Sequence, residues 1–341
     1  MTFKIGEIHP NTPHLCADLF ELLVLLGGPE QPHGWHRNDM EALLHSGALS
    51  YEEVDEEVDA EGADNRHDGE GDSGAREGLS SAERRGRMET QVEDILAHLN
   101  YRAGVFGPFY PFRLENEQLI LQEQLDVRQR VYRLLLACSR LRSFAGRGLP
   151  QRWAAHFVRL CKLALAGLLP GHAVVRSFDA NSEDRQGYYA SDLRKALVKL
   201  GADLRVIGVN ASECAKVAAQ GDAGLDLVGI VDFDDGAATA FALLAQCAAQ
   251  ETAWPSKTLE AHPMKFRHFF QMQFDCPALM FTPVCFRTGS GEWCDNQSAN
   301  GIFLADRGRI LQLLEQQQLC DRIAVMDWFV EFERALAAVE L

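Results

Sequence analysis

Apolar residues recur at helical spacing over HLCADLFELLVLLG (14–27), and the pattern stops at Gly27-Gly28. A short helix follows over DMEALLHSG (39–47), with Asn38 as its expected cap. Helical periodicity returns at METQVEDILAHLN (88–100). It returns again over 125–144, where Leu and Val line one face and arginines the other. Between these two helices, the stretch 107–113, rich in Gly, Pro and aromatics, reads as a rigid extended connector. The glycines and proline of 146–150 mark a boundary between a helical N-terminal region (1–145) and the rest (150–341).

Beyond that boundary the period changes. A helix is expected over 152–169, stopped by Pro170-Gly171, then a strand over 172–178. Ser191 caps a helix over 191–201, and ADLRVIGV (202–209) reads as a strand. Two further strands, 224–233 and 239–249, are joined by the turn FDDGA, and the apolar run of the second suggests burial on both faces. A strand over 278–286 leads into two final helices, 305–318 and 321–339. No internal repeat is visible. The alternation predicts a mixed α/β core of about 190 residues behind the helical region.

Composition adjusts this picture in three places. The apolar fraction of 47% is that of an ordinary globular protein, and no apolar run reaches membrane-spanning length. The net charge of −16 is concentrated: residues 51–72 hold eleven acidic side chains and one basic, leaving about −6 for the rest. That segment, with its glycines to about residue 86, reads as a mobile, solvated stretch, or as an acidic strip guarding a basic surface. The nine cysteines are scattered with no CxxC pair, which fits reduced thiols in the cytoplasm better than a disulfide framework. There is no GxxxxGK[ST], so the chain is not expected to hydrolyse ATP alone, and no GxSxG.

Candidate chemistry centres on GDAGLDLVGI (221–230), where Asp222 and Asp226 sit at the threshold of a buried strand. A carboxylate there must be solvated, hydrogen-bonded or cation-bound, so it is either a turn residue or a metal ligand. Magnesium takes oxygen ligands, keeps several waters, and needs only one or two carboxylates. Phosphodiester hydrolysis adds an amine that neutralises developing charge. Asp226 at the start of one strand, Gln246-Cys247 at the end of the next and Lys257 shortly after have that form. Asp222 reads as a turn residue or as support for Asp226. Trp254 reads as packing, and Asp306-Arg307 as an ion pair or helix cap, with a phosphate grip as the alternative for the arginine.

Residues 221–257, with GDAGLD before one strand and QCA ending the next, resemble the restriction-endonuclease-like PD-(D/E)xK superfamily, in particular its Mrr-like branch. QCAAQETAW followed by PSK, and GIFLADRGRI (301–310), are similar to uncharacterised bacterial members tied to anti-phage defence. The resemblance spans roughly 150–315. It implies a mixed central sheet flanked by helices and a Mg²⁺ (or Mn²⁺) site using Asp226, Gln246 and Cys247, with Asp222 in support. It also implies catalytic roles for Asp226, Gln246 and Lys257. Two departures stand out. Ala248 occupies the usual lysine position, so Lys257 supplies the amine from the following segment. The helix AHFVRLCK lacks the acid many members carry there. The implied activity is metal-dependent DNA cleavage in defence, working with an ATPase or SMC-like partner and with self-association as a further option. The alternatives are a catalytically degenerate subunit that binds DNA or scaffolds a complex, and an unrelated α/β binding protein.

Overall fold

A computed structural model describes residues 2–5, 12–27, 34–45, 81–249, 252 and 254–341. The acidic stretch 51–72 lies outside the described residues. The first helix, α1 (Pro13–Gly27), matches the expected one. The short helix Arg37–His45 begins one residue before Asn38, so Asn38 lies inside its first turn and is no cap. Helix α2 (Ser81–Phe106) is twice the expected length and takes in 81–86 from the stretch read as mobile.

The N-terminal half is not purely helical. The expected connector is a single 3₁₀ turn (Gly107–Phe109), after which Phe112–Glu115 and Gln118–Leu121 form a hairpin that Trp35–His36 joins. Its two-residue turn, Asn116-Glu117, has positive φ at both positions (50° and 59°), as a type I′ turn requires. Helix α3 (Val127–Cys138) starts at a capping box: the Asp126 carboxylate accepts from Gln129 N–H, and the Gln129 side chain accepts from Asp126 N–H.

Helix α4 (Leu149–Leu168) starts inside the expected boundary segment. Strand β1 (Val174–Ser177) follows, then helix α5 (Leu193–Asp203), capped by Asp192 rather than Ser191. The helix runs through Asp203, so the strand expected over 202–209 shrinks to Gly208–Val209, in a separate two-stranded ribbon with Phe270–Gln271. Strands β2 (Leu227–Val231), β3 (Phe241–Cys247), β4 (Ala278–Phe281) and β5 (Phe303–Ala305) complete one five-stranded sheet in chain order. β2 is antiparallel to both of its neighbours, β1 and β3, and β3, β4 and β5 are parallel. Helix α6 (Arg307–Gln316) follows β5 directly. The expected last helix is broken at Val325-Met326 into Cys320–Ala324 and α7 (Asp327–Ala337).

The sheet separates two apolar cores. The larger joins Phe20 and Leu22 of α1 and Leu135 of α3 to Phe157 and Leu160 of α4, Ala245 of β3 and Ile310 of α6, so both halves of the chain build it. The smaller lies under α5 and the 261–270 segment. Odd positions of β3 (Leu243, Ala245) face the larger core and even positions (Ala242, Leu244) the smaller, which is the period-two alternation of a strand buried on both sides. Gly229 lets α4 lie close on β2: a Cβ there would meet Leu169 at 2.4 Å.

A buried ion network ties the halves together. Arg102 (α2) meets Asp18 at 2.6 Å and Glu21 at 2.9 Å, and Arg307 (α6) meets the same two acids at 2.8 and 3.5 Å. All four side chains are fully buried. Tyr110 and Tyr132 donate to Glu21, Arg102 also donates to His98 and to the His14 carbonyl, and Arg307 donates to the Pro283 carbonyl. Two guanidinium groups thus face two carboxylates, with the remaining lone pairs satisfied, which is the condition under which buried charge is tolerated.

Candidate metal centre

β1, β3, β4 and β5 run one way and β2 the other, so the ends of β1 and β3 and the start of β2 share one rim. Asp226 enters β2 at that rim. Leu227 pairs with Ala245, yet the Asp226 N–H also reaches the Ala245 carbonyl at 3.0 Å. Two residues of one strand thus address one residue of the other, a bulge that re-aims the side chain there. The Asp226 Oδ2 accepts the Cys247 N–H at 2.6 Å, and the Asp226 carbonyl accepts from Phe178 N–H at 2.6 Å and Asp179 N–H at 3.3 Å.

These contacts gather carboxylates from three segments. Asp179 follows β1, Asp222 lies in the loop before β2 and Asp226 opens β2, and their ligand oxygens all lie within 4.8 Å of one another. Asp226 is only 8% exposed. Burial, then the neighbouring Asp222, Asp179 and Glu260, push its carboxyl up to about 7 against the opposing Cys247 hydrogen bond. The loop is shaped by residues in left-handed conformations: Gly221, Ala223 and Gly224 have φ of 95°, 59° and 76°. Gly224 is also required by contact, since a Cβ would meet Glu260 Cβ at 2.8 Å. The Asp222 carboxylate accepts from Gly224 N–H at 2.9 Å, as a turn aspartate does.

Arg185 holds this arrangement from behind. Its fully buried guanidinium donates to the carbonyls of Phe178 (2.9 Å), Ala190 (2.8 Å) and Gly221 (3.1 Å), and stacks 4.6 Å above the Phe178 ring. Phe178 and Gly221 immediately precede Asp179 and Asp222, so one side chain fixes both carboxylate-bearing loops. It forms no ion pair with a described carboxylate; each of its three guanidinium nitrogens donates to backbone.

The other expected site residues are distributed around this rim. Cys247 contributes its backbone N–H, and burial raises its thiol well above the ordinary cysteine range. Gln246 follows the even series of β3. The Gln246 Oε1 is buried without a hydrogen-bond partner. Lys257 closes the 3₁₀ turn Trp254–Lys257, three residues before the Glu260 that packs on Gly224. It is half-buried and makes no ion pair with a described carboxylate. Ala248 is in the core. Trp254 is packing, 1% exposed and 4.7 Å from the Phe286 ring. Asp306 caps α6, accepting Arg309 N–H, and pairs with Arg287. Arg307 is committed to Asp18 and Glu21, so it is not available to grip phosphate.

Asp179 and Arg185 were invisible to sequence reading. Their partners arrive through the β1–β2 pairing, and SFDANSEDR carries no local signature of it. The donor set, three carboxylates without a neutralising ion pair, suits a hard divalent cation with oxygen ligands. Fold and rim together define an α/β protein with a mixed five-stranded sheet and a carboxylate cluster where β1, β2 and β3 meet. No protein family matches the chain, and neither do any curated protein or solved structure. Among the described residues no helix is long and apolar enough to cross a membrane.

Proposed function

We propose that the protein is a divalent-metal-dependent deoxyribonuclease. The observation that supports this is the convergence of Asp179, Asp222 and Asp226 at one rim, with the Asp226 carboxyl driven toward the neutral form by burial and by its neighbouring carboxylates. In this reading these three side chains hold Mg²⁺ or Mn²⁺. A cation so placed polarises a phosphodiester and lowers the pKa of bound water. Asp226 is held on β2 by the Cys247 N–H, and Arg185 keeps the other two carboxylates in place. Lys257, free of any ion pair with a described carboxylate, neutralises charge on the cleaved phosphate, and Gln246 offers its unpartnered amide oxygen. The sheet, with β2 antiparallel to both neighbours and β3, β4 and β5 parallel, is that of a mixed α/β protein, and the restriction-endonuclease-like core stays part of the proposal, resting on the resemblance alone. Recruitment by an ATPase or SMC-like partner in anti-phage defence stays part of the proposal, resting on the resemblance of GDAGLD and QCA.

Cleavage of supercoiled plasmid with Mg²⁺ or Mn²⁺ tests this. Wild type should nick or linearise DNA, while Asp226→Ala and Asp179→Ala should lose at least 100-fold in rate, the scale expected when a group stabilising transition-state charge is removed. Wild-type protein that cleaves no DNA with either metal overturns it. One observation favours a second reading, a subunit that binds DNA without cutting it. The usual lysine position is a core alanine, and α4 turns Cys161, not an acid, toward Asp226. Retained DNA binding with cleavage absent from wild type selects that reading.

A further inference from the structure

The chain carries a net charge of −16, yet α5 runs against it: residues 193–202 hold Arg194, Lys195 and Lys199 and no acid. The buried side of α5 is Leu193, Ala196, Leu197 and Leu200, so helical spacing turns Arg194, Lys195 and Val198 outward, with Lys199 half-buried beside them. Arg176 of β1 extends this face. Its guanidinium lies 3.8 Å, and the Lys199 Nζ 3.6 Å, from the centre of the Tyr188 ring. An aromatic ring holds cations in this way without cancelling their charge. The Lys199 Nζ also donates to the Tyr188 carbonyl at 2.6 Å, and the Tyr188 hydroxyl donates to Asp203 at 2.9 Å. Asp192 is already paired with Arg194 at 2.7 Å. Arg176, Lys195 and Lys199 form no ion pair with a described carboxylate.

These cations adjoin the carboxylate rim. Arg176 pairs with Val228, two residues along β2 from Asp226, and precedes Asp179 by three residues, about 10 Å of extended chain. Tyr188 lies on the same turn as Arg185, which fixes the Asp179 and Asp222 loops. The Leu193 N–H at the start of α5 donates to the Ala219 carbonyl in the loop before Asp222. Arg194, Lys195 and Val198 line one wall of a groove of about 510 Å³, and Ala211 and Ala215 line the other. The small side chains there leave room beside the cations.

We propose that Arg176, Arg194, Lys195 and Lys199 form a track for the sugar–phosphate backbone of duplex DNA, running from the groove beside α5 to the carboxylate rim. The proposal rests on reading that rim as a nuclease site, and it names how the substrate is held there. An acidic chain has no bulk attraction for DNA, so a local basic face has to supply it. Lysines and arginines on phosphates position a duplex without reading its bases, so the track is indifferent to sequence. Tyr188 spends its π face on cations rather than offering it to an unpaired base, which favours duplex over single strand.

Fluorescence anisotropy of the full chain with a short labelled duplex, in EDTA and across a salt series, reads the track apart from any metal. The slope of log affinity against log salt falls by about 0.9 for each phosphate contact removed. Lys195→Gln should therefore lower its magnitude by about 0.9, and Lys195→Gln with Lys199→Gln by about 1.8, whatever the duplex sequence. Arg322→Gln removes an exposed base from the short helix Cys320–Ala324 and should leave the slope unchanged. Lys195 is exposed, so its variant keeps the fold, and the melting temperature checks this. Wild-type slopes in both lysine variants overturn the track, as does an equal loss in Arg322→Gln or a wild type that binds no duplex. Plasmid cleavage separates this outcome from the nuclease reading. Cleavage by wild type with unaltered slopes in the variants leaves the nuclease and removes the track. Binding with the expected slopes but no cleavage with Mg²⁺ or Mn²⁺ removes the nuclease and leaves the track.

Discussion

The molecule holds two acid clusters, one wholly buried and one with Asp226 buried and Asp179 and Asp222 half-buried, and they are built on opposite plans. Around Asp18 and Glu21, two arginines and two tyrosines complete the coordination, and charge sums to zero. Burial alone would raise the Asp18 carboxyl, but Arg307 and Arg102 outweigh it and hold it below the usual carboxylate range. Around Asp226 the nearest charges are other carboxylates, and the one buried arginine spends its donors on backbone carbonyls. The same residue type is therefore depressed in one place and raised in the other. A fold that can neutralise buried acids has left one set without cations, and that is where an external cation would be stabilising.

The largest effect should come from breaking the balanced cluster. Arg307→Met leaves two buried carboxylates facing the single guanidinium of Arg102, so one buried negative charge is uncompensated, and the loss should be about 3–5 kcal/mol in urea unfolding. The opposite sign is expected at the rim. A raised folded-state pKa means the Asp226 carboxylate costs stability as pH climbs above its unfolded value near 4, and the cost is complete above about 7. Asp226→Asn should therefore stabilise the metal-free protein by up to about 4 kcal/mol at pH 8 and by little below pH 4, measured as the pH dependence of unfolding free energy. Next in size, Mn²⁺ at a hundred times its dissociation constant should add about 2.7 kcal/mol to wild type and nothing to Asp226→Ala, read as a shift in melting temperature. Gly224→Ala strains a left-handed residue against Glu260. It should cost about 1–3 kcal/mol and weaken Mn²⁺ binding, whereas a purely local effect would lower stability alone. At the bottom of the scale, Arg205→Gln removes the exposed pair with Asp232, and no resolvable change in melting temperature is expected.

Sequence patterning carried the second half further than the first. The strands 224–233 and 239–249 do pair antiparallel, because an apolar run with a glycine-acid turn leaves few other ways to satisfy the backbone. β5 escaped notice because three residues give no period to read. The N-terminal hairpin hid in a stretch whose prolines and aromatics pointed to a connector, although Asn116-Glu117 is a turn signal in retrospect. At the site, Asp226 and Asp222 were legible from their place beside glycines. Asp179 was not, since it joins them only through the β1–β2 ladder. Arg307 read as an ion pair or cap with Asp306, with a phosphate grip as the alternative, because its actual partners, Asp18 and Glu21, lie near the other end of the chain.

That last distance has a consequence for biosynthesis. Asp18 and Arg307 are 289 positions apart, so on the ribosome α1 emerges long before its counter-ion exists. Until α6 leaves the exit tunnel, the charged and apolar faces of α1 have only a partial set of neighbours. The nascent polypeptide must stay unaggregated through most of its translation, the stage at which a large chain with contacts this far apart in sequence is most exposed to aggregation.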